Sequence, residues 1–249
     1  MGEPGVIGID VGGTTVKGGV VSAGGSSTSP RRRPSGPERS VDVVLDLVDD
    51  LQTDAAEAQV EVDAIGLASL GIIDEDAGIV RAASNVGWRN VPLRALVEER
   101  SGCRVALGHD VRAAGQAEAA LGAGRGFRNV LFVAIGTGLA VAQVVDGQAL
   151  RGETWRAGEI GQLRTTPGHG RLEDIASGRA MDGAVVEEAV ESLAQVLAVV
   201  VTMVDPGVIV VGGGVAQAGA ALLDPLQRRL TEALIWRKPP PLVPAHLGI

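Results

Sequence analysis

VIGIDVGGTTVKGGVV, from Val6 to Val21, and VLFVAIGTGLAVAQVV, from Val130 to Val145, are one pattern written twice at an offset of 124 residues. Each is an apolar run, a Gly/Thr turn and a second apolar run, which is the signature of a β-hairpin with a glycine-rich bend. One hairpin opens each half of the chain, and this predicts a duplicated architecture. The intervening segments agree. Ser40 to Ala58 sets Val41, Val44, Leu45, Val48 and Leu51 on one stripe of a 3.6-residue period behind a Ser cap, so it predicts a helix. Val62 to Ala68 reads as a strand, Pro92 to Arg100 as a short helix opened by proline, Arg104 to Leu107 as a strand and Val111 to Leu121 as an alanine-rich helix. After the second hairpin come a glycine-rich loop region from Gly152 to Gly178, a long helix from Gly183 to Val204, a strand from Val208 to Val211 and a last helix from Ala218 to Leu234. Strands alternating with helices in two matched halves predict an α/β chain of two lobes, 1–108 and 109–249.

Composition limits the function classes. With 249 residues, 45% hydrophobic and 21% charged, the chain has an ordinary globular balance. The net charge of -8 provides no basic field for phosphodiester backbones, so nucleic acid is not an expected partner. A single cysteine, Cys103, rules out an intramolecular disulfide and a cysteine cluster for zinc, and a reducing cytoplasmic location is expected. Met1 to Val11 has no basic leader region, so no signal peptide is expected. The longest apolar stretch, Leu193 to Val204, is interrupted by Gln195 and Thr202 and is shorter than the roughly 20 residues that a bilayer requires. It predicts a buried helix, and no membrane role is expected. Gly24 to Pro37, with its Arg31–Arg33 run, reads as a polar, solvated loop.

Three glycine clusters carry the chemistry. GIDVGGTTVK, Gly8 to Lys17, ends a strand on Asp10 and turns through Gly12, Gly13, Thr14 and Thr15 before Lys17. Glycines let backbone N–H groups close on a phosphate and hydroxyls add donors, while a carboxylate such as Asp10 suits a hydrated magnesium ion. A tight hairpin turn would need the same glycines. Its spacing fits neither a P-loop nor a dinucleotide fingerprint. Gly136, Thr137 and Gly138 repeat the turn in the second half, and two such turns facing each other would clamp a nucleotide. Gly212, Gly213 and Gly214 follow a strand and allow close approach to a nucleoside.

Taken with further segments, these motifs resemble the ROK family of bacterial sugar kinases and repressors from about Gly5 to Leu247. The carriers are IGIDVGGTTVK (Ile7 to Lys17), GIID (Gly71 to Asp74), SNVGW (Ser84 to Trp88), GHDVRAAG (Gly108 to Gly115), IGTG (Ile135 to Gly138), AGEIG (Ala157 to Gly161), RLEDIASG (Arg171 to Gly178) and DPGVIVVGGGVAQAG (Asp205 to Gly219). The resemblance implies a two-lobed, actin-like (ribonuclease H-like, duplicated) α/β fold. It also implies ATP-dependent phosphorylation of a hexose or hexose-like hydroxyl, with glucose, an N-acetylated sugar or a cyclitol as acceptor. The family's catalytic aspartate maps onto Asp110, where a carboxylate can take the acceptor proton. Its sugar-holding positions carry over to Gly71, Asn85, His109, Asp110, Glu159, Gln162 and Glu173. Amides and carboxylates suit a polyol whose hydroxyls both donate and accept. Expected ligands are the sugar, ATP and magnesium, and a homodimer is a possible assembly.

The departures from the family pattern are also informative. Where relatives place a histidine and three cysteines around a structural zinc, this chain has Gln162, Arg164, Thr166 and Arg171, with His169 alone nearby, so no structural zinc is expected. Gln162 is expected to be a loosely oriented amide that relaxes discrimination among hexoses. His109 replaces the asparagine before the catalytic aspartate. Relatives carry some forty more residues before the Asp205–Pro206 strand and a helix beyond Ile249, so the cap over the sugar is expected to be trimmed. Two further readings are a polyphosphate-using glucokinase and a catalytically inactive sugar-binding regulator. ROK repressors carry an N-terminal DNA-binding segment, which is not expected here because the first strand opens near Gly5.

Overall fold

A computed structural model describes residues 2–25, 27–28, 30–36, 40–165, 170–181 and 185–247. The chain divides into two compact units, Met1–Asp110 and Val111–Ile249, so Asp110 closes the first of them. The first unit contains β1 (Glu3–Val11), β2 (Thr15–Ser22), β3 (Arg31–Pro34), α1 (Ser40–Glu57), β4 (Val60–Ser69), β5 (Ile72–Asp74), β6 (Ile79–Ala83), β7 (Trp88–Val91), α2 (Leu93–Ser101) and β8 (Arg104–His109). Its main sheet runs β3-β2-β1-β4-β8, with β1–β2 and β2–β3 antiparallel and β1–β4 and β4–β8 parallel.

α3 (Asp110–Leu121) leads into the second unit, which holds β9 (Asn129–Ile135), β10 (Leu139–Val145), β11 (Gln148–Ala149), α4 (Leu172–Ala176), α5 (Gly178–Met181), α6 (Glu187–Val204), β12 (Val208–Gly212), α7 (Ala220–Ala233) and β13 (Leu242–Pro244). Its sheet runs β11-β10-β9-β12-β13. β9 is antiparallel to β10 and parallel to β12, and β12 is parallel to β13. Strand order and strand sense therefore repeat between the units, and the first strand of each hairpin is the centre of its sheet.

The two hairpins differ in a way their residues explain. In β1, Ile7, Ile9 and Val11 are buried while Val6 and Gly8 are exposed, so the alternation marks a sheet with one covered face. That face packs on Val44, Leu47, Val48 and Leu51 of α1. In β9, Leu131, Val133 and Ile135 pack with Leu193, Leu197 and Val201 of α6 and Leu222, Leu226 and Leu230 of α7. Val130 and Phe132 pack on Val111, Ala114 and Ala119 of α3. The unbroken apolar run of β9 is thus a strand buried on both faces.

Two expectations need correction. Arg31–Arg33 is not a loop: it lies within β3, pairs with β2, and sends Arg31 to Asp54 (Nε donating to Oδ2 at 2.6 Å) and Arg33 to Asp50. Alternate residues of a strand share a face, so both guanidiniums reach the acidic flank of α1. The Gly152–Gly178 region is not loop throughout, because α4 forms within it. The antiparallel sheet β5-β6-β7 had no counterpart in the sequence reading, its strands being only three to five residues long. Gly183, the expected start of the long helix, lies outside the described residues, and α6 runs Glu187–Val204. No helix among the described residues is long and apolar enough to cross a membrane.

Candidate functional site

The predicted residues of the first unit gather at one end of its sheet. Val11, Ser69 and His109 are register partners across β1, β4 and β8, so the chain leaves three adjacent parallel strands side by side at their carboxyl ends. From those ends emerge the Gly12–Thr14 turn, Gly71 and Asp110, at the place where open α/β sheets bind ligands. Asp10 and Lys17 are cross-strand partners and form an ion pair at 3.2 Å. The turn is closed by the Gly12 N–H donating to the Thr15 carbonyl (3.0 Å) and braced by Ser35, whose N–H donates to Thr14 O (3.0 Å) and whose hydroxyl donates to Gly12 O (2.9 Å). A Cβ at Gly13 would lie 3.1 Å from Cβ and Nδ2 of Asn85, so the turn rests against that predicted sugar ligand. Gly71, at φ +101°, lies where a Cβ would come 2.3 Å from the Ala82 carbonyl, which makes glycine obligatory.

Asp110 is the first residue of α3, a position where the helix dipole favours an anion. The buried His109 ring places Nδ1 3.3 Å from Asp110 Oδ1, and the His109 N–H donates to Glu75 Oε1 at 3.3 Å. The two side chains are thus close neighbours at the end of β8.

The second unit brings its predicted residues together as well. The Gly136–Gly138 turn is closed by the Gly136 N–H donating to Gly138 O (3.0 Å), and Gly178 N–H donates to Gly136 O (2.7 Å). Gly213, at φ +89°, lies where a Cβ would come 2.4 Å from the Ile135 carbonyl, so the Gly212–Gly214 cluster is packed onto the end of β9. A Cβ at Gly138 would stand 3.3 Å from Glu173 Oε2, which joins the turn to the sugar-type residues. Glu173 Oε1 accepts from Gln162 Nε2 (3.0 Å) and pairs with Arg171 Nη1 (2.8 Å), and Arg171 Nη1 also donates to Gln162 Oε1 (3.0 Å). The expectation of a loosely held Gln162 is thus corrected, because both ends of its amide are bonded. Thr166 and His169 lie outside the described residues. Among the described residues no group of three or more His, Cys, Asp or Glu side chains is placed to hold a metal ion.

Burial pushes the Glu159 carboxyl above its ordinary range, the Arg112 charge opposes that rise, and the Glu173 charge adds to it. Between the unfolded-chain pKa and the raised folded pKa the folded state binds more protons, so this group's contribution to stability falls as pH rises through that window. Glu159→Gln is expected to melt above the wild type at about pH 8, with the advantage closing toward about pH 3, where the carboxyl is protonated in both states. Thermal melts of the two proteins across that range test this, and a constant difference would contradict it.

Sequence reasoning missed Arg112 and Arg171. Arg112 is fully buried on α3, and its Nη1 donates to the Trp155 carbonyl at 3.4 Å. Its signal was the one basic residue in an otherwise alanine-rich helix. Arg171 was read only as a missing cysteine.

Comparison with known proteins identifies the family and the fold. The model of the ROK family matches residues 6–187 and 181–248. A glucokinase of Streptomyces coelicolor is 28% identical over 97% of this chain and 93% of its own length. The crystal structure of a ROK family glucokinase from Streptomyces griseus in complex with glucose and AMPPNP has a TM-score of 0.84 at 28% identity, covering 98% of this chain and 95% of that one. A ROK hexokinase from Thermus thermophilus has a TM-score of 0.80 at 31% identity, covering 98% and 93%. The α/β, actin-like fold class is therefore that of this protein, and the chain belongs to the ROK family.

Proposed function

We propose that the chain transfers the γ-phosphoryl group of ATP to a hydroxyl of glucose or a similar hexose, with Asp110 as the base. The observation that carries this reading is the convergence of the Gly12–Thr14 turn, Gly71 and Asp110 at the carboxyl ends of neighbouring parallel strands. As the acceptor oxygen bonds to the γ-phosphorus, its proton passes to the Asp110 carboxylate, the bond from phosphorus to the bridging oxygen breaks, and ADP leaves. Backbone N–H groups of Gly12–Thr15 and of Gly136–Gly138 with the hydroxyls of Thr14, Thr15 and Thr137, and Lys17, would bind phosphate oxygens; Gly212–Gly214 would pass the nucleoside. Gly71, Asn85, Glu159, Gln162 and Glu173 would bind sugar hydroxyls, with His109 beside Asp110. Asp10 is one partly exposed carboxylate beside the first turn, which fits a magnesium ion that keeps most of its water and neutralises phosphate charge.

The relatives that are glucokinases, one solved with glucose and AMPPNP, support both the acceptor class and the donor. A coupled ADP-release assay with ATP and magnesium over glucose, mannose, N-acetylated hexosamines and a cyclitol is expected to show turnover with at least one hexose. Polyphosphate serves as the competing donor. No ADP with any acceptor, together with no nucleotide binding by calorimetry, would refute the reading.

A further inference from the structure

We infer that Arg171 is a positioning residue that fixes the two sugar-binding side chains Glu173 and Gln162 without a metal; the inference rests on the kinase reading of the site. One guanidinium ties three partners: Nη1 meets Glu173 Oε1 at 2.8 Å and Gln162 Oε1 at 3.0 Å, while Nε and Nη2 meet Asp174 Oδ2 and Oδ1 at 3.2 and 2.9 Å. The Asp174 carboxylate is itself fixed, because it also accepts from the Arg171 backbone N–H (2.8 Å) as the capping box of α4. Gln162 Nε2 closes the ring by donating to Glu173 Oε1 at 3.0 Å. Oε1 of Glu173 is therefore engaged twice, and Oε2 is the oxygen turned toward the Gly138 turn.

Backbone contacts make the ring a joint between two segments. Gln162 closes the short 3-10 turn Ile160–Gln162, Glu173 lies in α4, and Leu172 N–H donates to Leu163 O at 2.7 Å where the segments meet. Gly161 must be glycine for that turn to lie on β10, since a Cβ there would come 2.2 Å from the Leu139 carbonyl. Fork geometry explains why the residue is arginine: planar donors reach a carboxylate on one edge and an amide on the other, which a lysine ammonium cannot do in one fixed orientation. Arg171 is itself about half exposed, so solvent screening makes the pairs poor sources of stability, and their effect lies in orientation. Gln162 and Arg171, two of the positions at which relatives would place zinc ligands, thus take part in a hydrogen-bonded ring that does an orienting job.

The test compares full-length Arg171→Met, Arg171→Lys, Glu173→Gln and the Arg171→Met/Glu173→Gln double variant. Arg171→Met is expected to raise the KM for the best hexose about tenfold or more, with ATP affinity unchanged and the melting temperature within about 2 °C of wild type. Arg171→Lys should recover part of the loss by pairing with Glu173 alone. In the Glu173→Gln background the same removal should raise KM by less than about threefold, because the side chain it positions no longer carries the charge. Additive losses, or a hexose KM in Arg171→Met within twofold of wild type, would overturn the assignment. A wild-type protein that turns over no sugar would count against the kinase reading. The ring is then judged by the Gln162 side-chain amide protons in nitrogen-resolved NMR spectra. These are expected to be shifted and protected in wild type and collapsed to random-coil positions in Arg171→Met, and identical spectra would overturn it.

Discussion

Asp110→Asn is expected to lower turnover about a hundredfold or more while leaving nucleotide affinity within about twofold, a loss of roughly 2.7 kcal/mol of transition-state stabilisation. The substitution is close to isosteric. An asparagine at the first position of α3 keeps the size and shape of the side chain beside the His109 ring, whose Nδ1 lies 3.3 Å from Oδ1, so the local packing is expected to persist. What the amide loses is the capacity to take a proton as the sugar oxygen bonds to phosphorus. The nucleotide is proposed to bind through the glycine turns and Lys17, none of which involves the Asp110 side chain. Steady-state kcat with the best hexose and calorimetric titration with a non-hydrolysable nucleotide measure the two quantities separately. Turnover within threefold of wild type would remove Asp110 from the chemistry.

The fold was legible where a pattern was long enough to be periodic. The hairpin repeat at Val6 and Val130 was readable because each first strand runs seven residues or more, long enough to show an apolar run, and both sheets are centred on those strands. α1 was readable from five apolar positions on one stripe. The sheet β5-β6-β7 was not, because strands of three to five residues complete barely two alternations, too few to carry a period. β3 was hidden for a different reason. Three consecutive arginines look solvated until α1 is known to present Asp50 and Asp54 to them, and that is a tertiary fact.

The site was legible as a set of residue types and less so as a set of contacts. Glycine clusters could be picked out because backbone approach to a phosphate demands glycine, whereas Asp110 was singled out only by the family resemblance of its segment. The bonds around Gln162 could not: nothing in the order Gln162, Arg171, Glu173 says that an arginine nine positions on will hold the amide, since the connection depends on how the segment before α4 folds back. Arg112 stayed hidden likewise, because the groups it meets, the Trp155 carbonyl and the Glu159 charge, lie more than forty residues away.

Gly158→Ala is expected to be the most damaging small substitution in the second unit. Gly158 has φ +94°, a conformation that L-residues avoid, and a Cβ there would sit 1.9 Å from the Val141 carbonyl oxygen. Rotating away is blocked, because the Gly158 carbonyl accepts from Val141 N–H (2.9 Å) and from Ile160 N–H (2.7 Å), so relief requires breaking the tie to β10. Together the strain and the displaced backbone should cost about 3 kcal/mol or more, a fall of about 6–12 °C in Tm. Gly147→Ala supplies the control, since Gly147 has φ +77° but open space within 4 Å, leaving conformational strain of about 1 kcal/mol and no collision. The neighbouring Glu159 carboxylate depends on this backbone for its direction, so hexose affinity should fall about tenfold in the folded fraction of Gly158→Ala and stay level in Gly147→Ala. Melting curves within about 2 °C of one another for the two variants would show that the backbone at Gly158 yields freely, and the glycine would then be no constraint on Glu159.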